Sequence, residues 1–132
     1  MFIDTSAIIA ILATEDDAAR YISAIKAGTD RFTGSHVRLE CVMNLTRIVG
    51  INPEDADAIF NDFVRTSSIR VIAIEDSTGV EAVRAFTRYG KGRGHPAQLN
   101  FGDCLSYACA REHNAPILFK GRDFVHTDLD IA

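Results

Sequence analysis

At 132 residues the chain has the size of one domain, long enough to bury roughly two-thirds of its unfolded surface. Its composition, 47% hydrophobic and 24% charged, is ordinary for a soluble globular protein, and no run reaches the ~18 apolar residues that span a bilayer. The 18 acids against 14 lysines and arginines leave a formal charge of −4, which excludes a nucleic-acid partner only if the acids are spread evenly; four carboxylates gathered in one site would account for all of it.

An acid at position 4 and no basic leader speak against a secretory signal. Cys41, Cys104 and Cys109 are odd in number and lack C-x-x-C spacing. They read as reduced packing thiols of a cytoplasmic protein, with no disulfide framework and no structural zinc site.

The chain opens on MFIDTSAIIAIL. Phe2-Ile3 is a short strand that ends on Asp4; Thr5 and Ser6 are good helix N-caps, and Ala7–Leu12 continues as a helix. A buried strand thus delivers one acid to its C-terminal end, the edge where ligands bind in open α/β sheets. Glu15–Ala27 reads as a second helix stopped by Gly28, and 31–33 as a short strand. Gly34-Ser35 opens a third helix to about Val49. On it Leu39, Val42, Met43, Thr46 and Val49 form an apolar stripe, and Glu40, Asn44 and Arg47 another at i, i+4 and i+7.

Pro53 starts a fourth helix to about Thr66, with Ala56, Ile59, Phe60, Phe63 and Val64 on its apolar side. Residues 70–74 alternate and are β-branched, so they read as a strand. Ser77–Tyr89 is a fifth helix with Val80, Val83 and Phe86 expected inward, and GKGRGHP (90–96) is a loop. Asn100 begins the last helix, to about His113; residues 116–119, PILF, are a buried strand, and 123–131 is irregular with room for an edge strand. Strands separated by helices predict βαβ units, hence one three-layer α/β/α domain over residues 1–132 with a mainly parallel sheet.

Four acids stand where an acid is costly. Asp4 ends a strand, Glu40 lies among apolar neighbours in RLECVMN, Asp103 opens the last helix in LNFGDCLSYACA, and Asp123 follows PILF in FKGRDF. Parallel topology brings the strand-end acids to one edge and the helix-start acids near them. Converging carboxylates raise one another's pKa unless a cation neutralises them, and an all-oxygen donor set suits Mg²⁺ or Mn²⁺. Each acid also has a local reading: Asp4 as a helix cap, Glu40 as a solvated partner of Arg47 or His36, Asp103 completing a capping box with Asn100, and Asp123 in an Asx turn after Gly121.

DTSAIIAIL, a helical Glu some 35 residues on, LNFGDCLSYACA and FKGRDFVHTDL together resemble PIN-domain ribonucleases, and more narrowly the VapC toxins of toxin–antitoxin pairs. The resemblance covers the whole chain, with NFGDC and FKGRDF its most specific parts. It implies a PIN-like fold and a Mg²⁺- or Mn²⁺-dependent endoribonuclease acting on structured RNA such as tRNA or rRNA, leaving a 5′-phosphate and a 3′-hydroxyl. It also implies a cognate VapB-type antitoxin, typically an amphipathic segment in a hydrophobic cleft, and a homodimer. Asp4, Glu40, Asp103 and Asp123 match the family's acidic, metal-binding positions; Thr5 or Ser6 matches its hydroxyl position. Asn44, one turn beyond Glu40, is a candidate to order a water nearby.

Among basic residues, Lys91 and Arg93 of GKGRGHP, with Arg88, form a candidate phosphate-holding patch, although the pattern is not a phosphate-binding P-loop. Lys120 and Arg122 adjoin the acids and are better placed for substrate phosphate. His36 is four residues before Glu40, but no second histidine stands at metal-site spacing. Phe60 and Phe63 read as core, with a share available to line an antitoxin groove. Two other classes compete. A receiver-like signalling module would want an acidic pair after the first strand, where Asp4 stands alone. A PIN fold that binds RNA or a partner without cutting would need no divalent ion.

Overall fold

The computed structural model describes all residues, Met1–Ala132. The elements run β1 (Phe2–Ile3), α1 (Thr5–Leu12), α2 (Ala18–Ala27), β2 (Phe32–Gly34), α3 (Ser35–Val49), α4 (Pro53–Thr66), β3 (Arg70–Ile72), α5 (Asp76–Tyr89), α6 (Phe101–Glu112) and β4 (Ile117–Leu118). The four strands form one parallel sheet in the order β3-β2-β1-β4. Phe2 pairs with Phe32 on one side and Ile117 on the other, so the most buried strand, β1, is central. The irregular C-terminus adds a single parallel bridge, Ile117 to Ile131.

From β1 the chain steps outward to β2 and β3, then returns across the sheet to β4. Right-handed crossovers therefore put the α1–α4 connections on one face and α5–α6 on the other. The packing follows this division: α1 rests on α2 and α3, α3 on α4, and α5 on α6. The reversal of direction lies between β1 and β4, and their C-terminal ends flank the crevice where such sheets bind ligands. Asp4 leaves β1 there, and the segment after β4 leads to Asp123.

Phe2, Ile3, Ile8, Phe32, Val37, Leu45, Phe60, Tyr107, Ile117 and Phe124 are essentially inaccessible and form the core. Each large side chain buried there contributes roughly 1.5–3 kcal/mol of transfer free energy. Thr33, polar and fully buried within β2, donates its hydroxyl to the Ile3 carbonyl at 2.7 Å and so costs little. Cys41, Cys104 and Cys109 are all buried free thiols.

Several local expectations shift. Asp4 is the N-cap of α1, the local role the sequence also offered for it: its carboxylate accepts the Ser6 amide at 3.0 Å, so the helix begins at Thr5, two residues before Ala7. The second helix starts at Ala18, because Thr14 adopts a positive φ of 55° and the chain turns before it. On α3 the inward face is Val37, Cys41 and Leu45; Leu39 and Met43, members of the apolar stripe seen in the sequence, are each 62% exposed. On α5 the buried residues are Thr78, Ala85 and Tyr89, while Val80, Val83 and Phe86 face outward. Both helices carry apolar residues on more than one side, and contact with the sheet and with α6 selects the smaller set.

Candidate active site

Asp4 is the most buried of the acids, at 6% exposure, and every contact it makes is with a hydroxyl or an amide. Its Oδ2 accepts the Ser6 amide and the Ser6 hydroxyl, the latter at 2.6 Å. Its Oδ1 accepts the Ser106 hydroxyl at 2.8 Å. Ser6 Oγ in turn accepts the Lys120 backbone amide at 2.9 Å, which ties the α1 N-terminus to the segment after β4. Both local and site roles therefore fall on one carboxylate: it caps α1 and faces the crevice.

Glu40 reaches the crevice from the second turn of α3. Neither Arg47 nor His36 pairs with it; Thr5 Oγ1 donates to its Oε1 at 2.8 Å. The other oxygen lies against Gly102, where an added Cβ would stand 2.9 Å from Glu40 Cδ and closer still to Oε2. Asp103, the next residue, completes a capping box on α6: it accepts the Asn100 amide at 3.0 Å while Asn100 Oδ1 accepts the Asp103 amide at 2.9 Å. Asp123 sits past the left-handed Gly121 (φ 104°), on the outer side of the group.

Asp4, Thr5, Ser6, Glu40, Asn44, Asp103, Lys120 and Asp123 line one cleft of about 340 Å³. The electrostatics match the convergence. Burial pushes Asp103 up to about 7, and the charges of Asp123, Asp4 and Glu40 add to it against the Asn100 amide. Burial also raises Glu40, opposed by the Thr5 hydroxyl and assisted by Asp4. Asp123 is raised by burial and then by Asp4. No lysine or arginine forms an ion pair with any of the four. Carboxylates that repel one another and lack a cationic partner are a donor set that a hard divalent cation fits. The acids do not close into a tight cage of three or more ligating side chains. An open, oxygen-only arrangement is the one suited to an ion that keeps several waters.

A family profile for the PIN domain matches residues 1–129. The chain is 40% identical to the ribonuclease VapC28 of Mycobacterium tuberculosis over 134 aligned positions, covering 100% of this chain and 97% of that protein. The chain belongs to the PIN-domain family, among the VapC ribonucleases. A VapC ribonuclease of Rhizobium meliloti is 36% identical, with 97% of this chain and 98% of the relative covered. Among solved structures, the fold is shared with Mycobacterium tuberculosis VapC20, a sarcin–ricin-loop-cleaving toxin, at TM-score 0.79 and 19% identity over 99% of this chain and 97% of that one. It is also shared with VapBC2 of Rickettsia felis, at TM-score 0.69 and 15% identity over 99% and 96%.

Not every residue singled out in the sequence reaches the acid cleft of this PIN domain. Asn44 lines it, but its amide donates to the Glu40 carbonyl at 2.8 Å and its oxygen accepts from Arg47 at 3.0 Å, so it touches no carboxylate. Lys120 stands at the rim with its ammonium ion-paired to Glu15 and, at 2.7 Å, to Asp17. Arg122 is exposed beside Asp123. Lys91 and Arg93 lie elsewhere: Lys91 borders an apolar hollow of about 420 Å³ between α5 and α6, and the Arg93 guanidinium is 5.8 Å from the Phe86 ring. Arg88 pairs with Asp128.

Two contributors are hidden in the sequence. Ser106 is one small residue among those of a packed helix, and only its position three after Asp103, one turn along the same face, hints at the site. Gly102 stands within the NFGDC motif, and nothing local marks it as the space that Glu40 occupies.

Proposed function

We propose that this PIN domain is a divalent-metal-dependent endoribonuclease, the toxin of a VapBC-type pair in the cytoplasm. The observation that carries the reading is the meeting of Asp4, Glu40, Asp103 and Asp123 in one cleft at the sheet's reversal point without a basic partner. Asp4, Glu40, Asp103 and Asp123 would hold Mg²⁺ or Mn²⁺, which supplies Lewis acidity and positive charge for hydrolysis of an RNA phosphodiester to a 5′-phosphate and a 3′-hydroxyl.

The protein's own part is preorganisation. Ser6 and Ser106 hold both oxygens of Asp4, and the Thr5 hydroxyl holds one oxygen of Glu40. The capping box fixes the backbone that carries Asp103. Lys120 lines the cleft and Arg122 is exposed beside Asp123, so both are candidates to meet the phosphates of an RNA strand. Lys91 and Arg93 do not line the acid cleft, and Lys91 borders the neighbouring hollow between α5 and α6, where it would hold another part of a folded RNA such as tRNA or rRNA.

A VapB-type antitoxin is the expected partner. The exposed apolar residues Leu39 and Met43 of α3 and Ile59 of α4 are suited to an amphipathic segment. Phe60 is fully buried, and the half-buried Phe63 lines a hollow with Ile11, Ile22 and Ile25, so neither is an open part of that surface. A homodimer is also expected, and sedimentation at low concentration tests it.

The deciding experiment incubates purified protein, freed of antitoxin, with total cellular RNA in Mg²⁺, Mn²⁺ or EDTA, alongside Asp4→Asn. Discrete fragments that vanish in EDTA and in the variant are expected. Full activity in Asp4→Asn overturns the assignment. Absence of both cleavage and metal binding in the unmodified protein would favour a PIN fold that binds RNA or a partner without cutting.

A further inference from the structure

Ser106 is fully buried in α6, one turn beyond Asp103, and its hydroxyl touches two polar groups. One is Asp4 Oδ1 at 2.8 Å; the other is His36 Nε2 at 3.0 Å. A hydroxyl has one hydrogen, and a carboxylate only accepts. Ser106 therefore donates to Asp4 and accepts from His36, so His36 Nε2 carries the hydrogen. The other ring nitrogen, Nδ1, is buried without a partner, and a hydrogen there would be left without an acceptor. The ring itself is held by stacking on Phe2 at 6.4 Å and by Gly34, whose missing side chain leaves the space it fills.

We propose that His36 and Ser106 are positioning residues for Asp4: a one-way chain, His36 Nε2–H to Ser106 Oγ–H to Asp4 Oδ1, sets the orientation of the carboxylate. Lone-pair counting gives the consequence. A carboxylate offers about four acceptor positions, and three on Asp4 are taken by the Ser6 amide, the Ser6 hydroxyl and Ser106. The one left is on Oδ1, the oxygen Ser106 holds. Ser106 thus presents the single acceptor position through which Asp4 would hold a divalent ion, a role that rests on the nuclease reading above. Hydrogen-bonded groups behind a metal-binding side chain commonly tune affinity in this way.

Two measurements test it. Long-range ¹H–¹⁵N spectra of the metal-free protein are expected to show His36 neutral with its hydrogen on Nε2; a neutral ring with its hydrogen on Nδ1 and none on Nε2 would overturn the chain's direction and with it the proposal. Calorimetric Mn²⁺ titration without RNA is expected to show affinity reduced roughly tenfold in Ser106→Ala. His36→Phe should weaken it in the same direction, and His36→Gln, which can again donate to Ser106, should restore it. His36→Phe and His36→Gln carry the test if Ser106→Ala does not fold. Wild-type affinity in a folded Ser106→Ala or His36→Phe overturns the positioning role alone. Failure of the unmodified protein to bind Mn²⁺ overturns the nuclease reading, and the positioning role falls with it.

Discussion

The carboxylate of Glu40 rests against the bare α-carbon of Gly102, the residue immediately before Asp103. An α3 acid and the first turn of α6 can share the crevice only because no side chain stands between them. Gly102→Ala should therefore push Glu40 aside. The colliding atoms are the end of a flexible side chain, so the fold absorbs the change cheaply, and alanine favours the helix by up to about 1 kcal/mol. The expected outcome is an unchanged or higher Tm with cleavage down by roughly a hundredfold, the scale of a 1 Å misplacement in a preorganised site. Melting curves and RNA cleavage on the same preparation check it; full activity would show that Glu40 has no need of its present position.

Asp103 is raised to about 7 by burial and by its acidic neighbours, and this makes stability depend on pH. The folded state holds the proton more tightly than the unfolded chain, so stability falls as pH rises from about 4 through 7. Asp103→Asn removes the charge, while its side-chain oxygen can still accept the Asn100 amide. In EDTA the variant should be more stable than wild type at pH 8 by about 1–2 kcal/mol, since a tenfold change in proton affinity is worth about 1.4 kcal/mol and partial exposure reduces the full effect. The advantage should shrink toward pH 5, where wild-type Asp103 is protonated in the fold. Thermal unfolding at the two pH values decides it, and an equal difference at both would remove Asp103 as its source.

The same displaced proton should appear in metal binding. At pH 6 much of Asp103 is protonated, so Mg²⁺ uptake should release a proton and affinity should rise toward pH 8. Calorimetry in two buffers of different ionisation enthalpy counts that proton. Release that is the same at pH 6 and pH 8 would contradict an Asp103 titrating near 7.

Lys120 is held by Glu15 and Asp17 and is not free at the cleft mouth. Any RNA phosphate it meets must compete with both carboxylates. Glu15→Gln combined with Asp17→Asn should release the ammonium, tighten RNA binding and steepen its salt dependence by about one ion. Filter binding across a salt series measures this; an unchanged slope would mean Lys120 makes no phosphate contact.

Much of this molecule is legible from local rules. Phe2-Ile3 before Asp4, Asn100 three before Asp103 and Gly50 after α3 announce strand end, capping box and helix stop within a few residues of sequence. A parallel sheet then carries Asp4 and Asp123 to one edge and starts α3 and α6 beside it, which is why all four acids could be expected in a common cleft. What periodicity could not choose was a face where apolar residues lie on two. Val37, Cys41 and Leu45 point inward on α3 in place of Leu39 and Met43, and Val83 and Phe86 of α5 remain outside. Nor could it see partners more than a hundred positions apart. Ser106 meets Asp4 where α6 packs against β1, and Lys120 meets Glu15 and Asp17 from the segment that follows the β4–β1 pairing. Short-range propensity and strand–helix order determined the scaffold; the hydrogen bonds and excluded volumes that aim each carboxylate arise from long-range packing, and only the tertiary structure decided them.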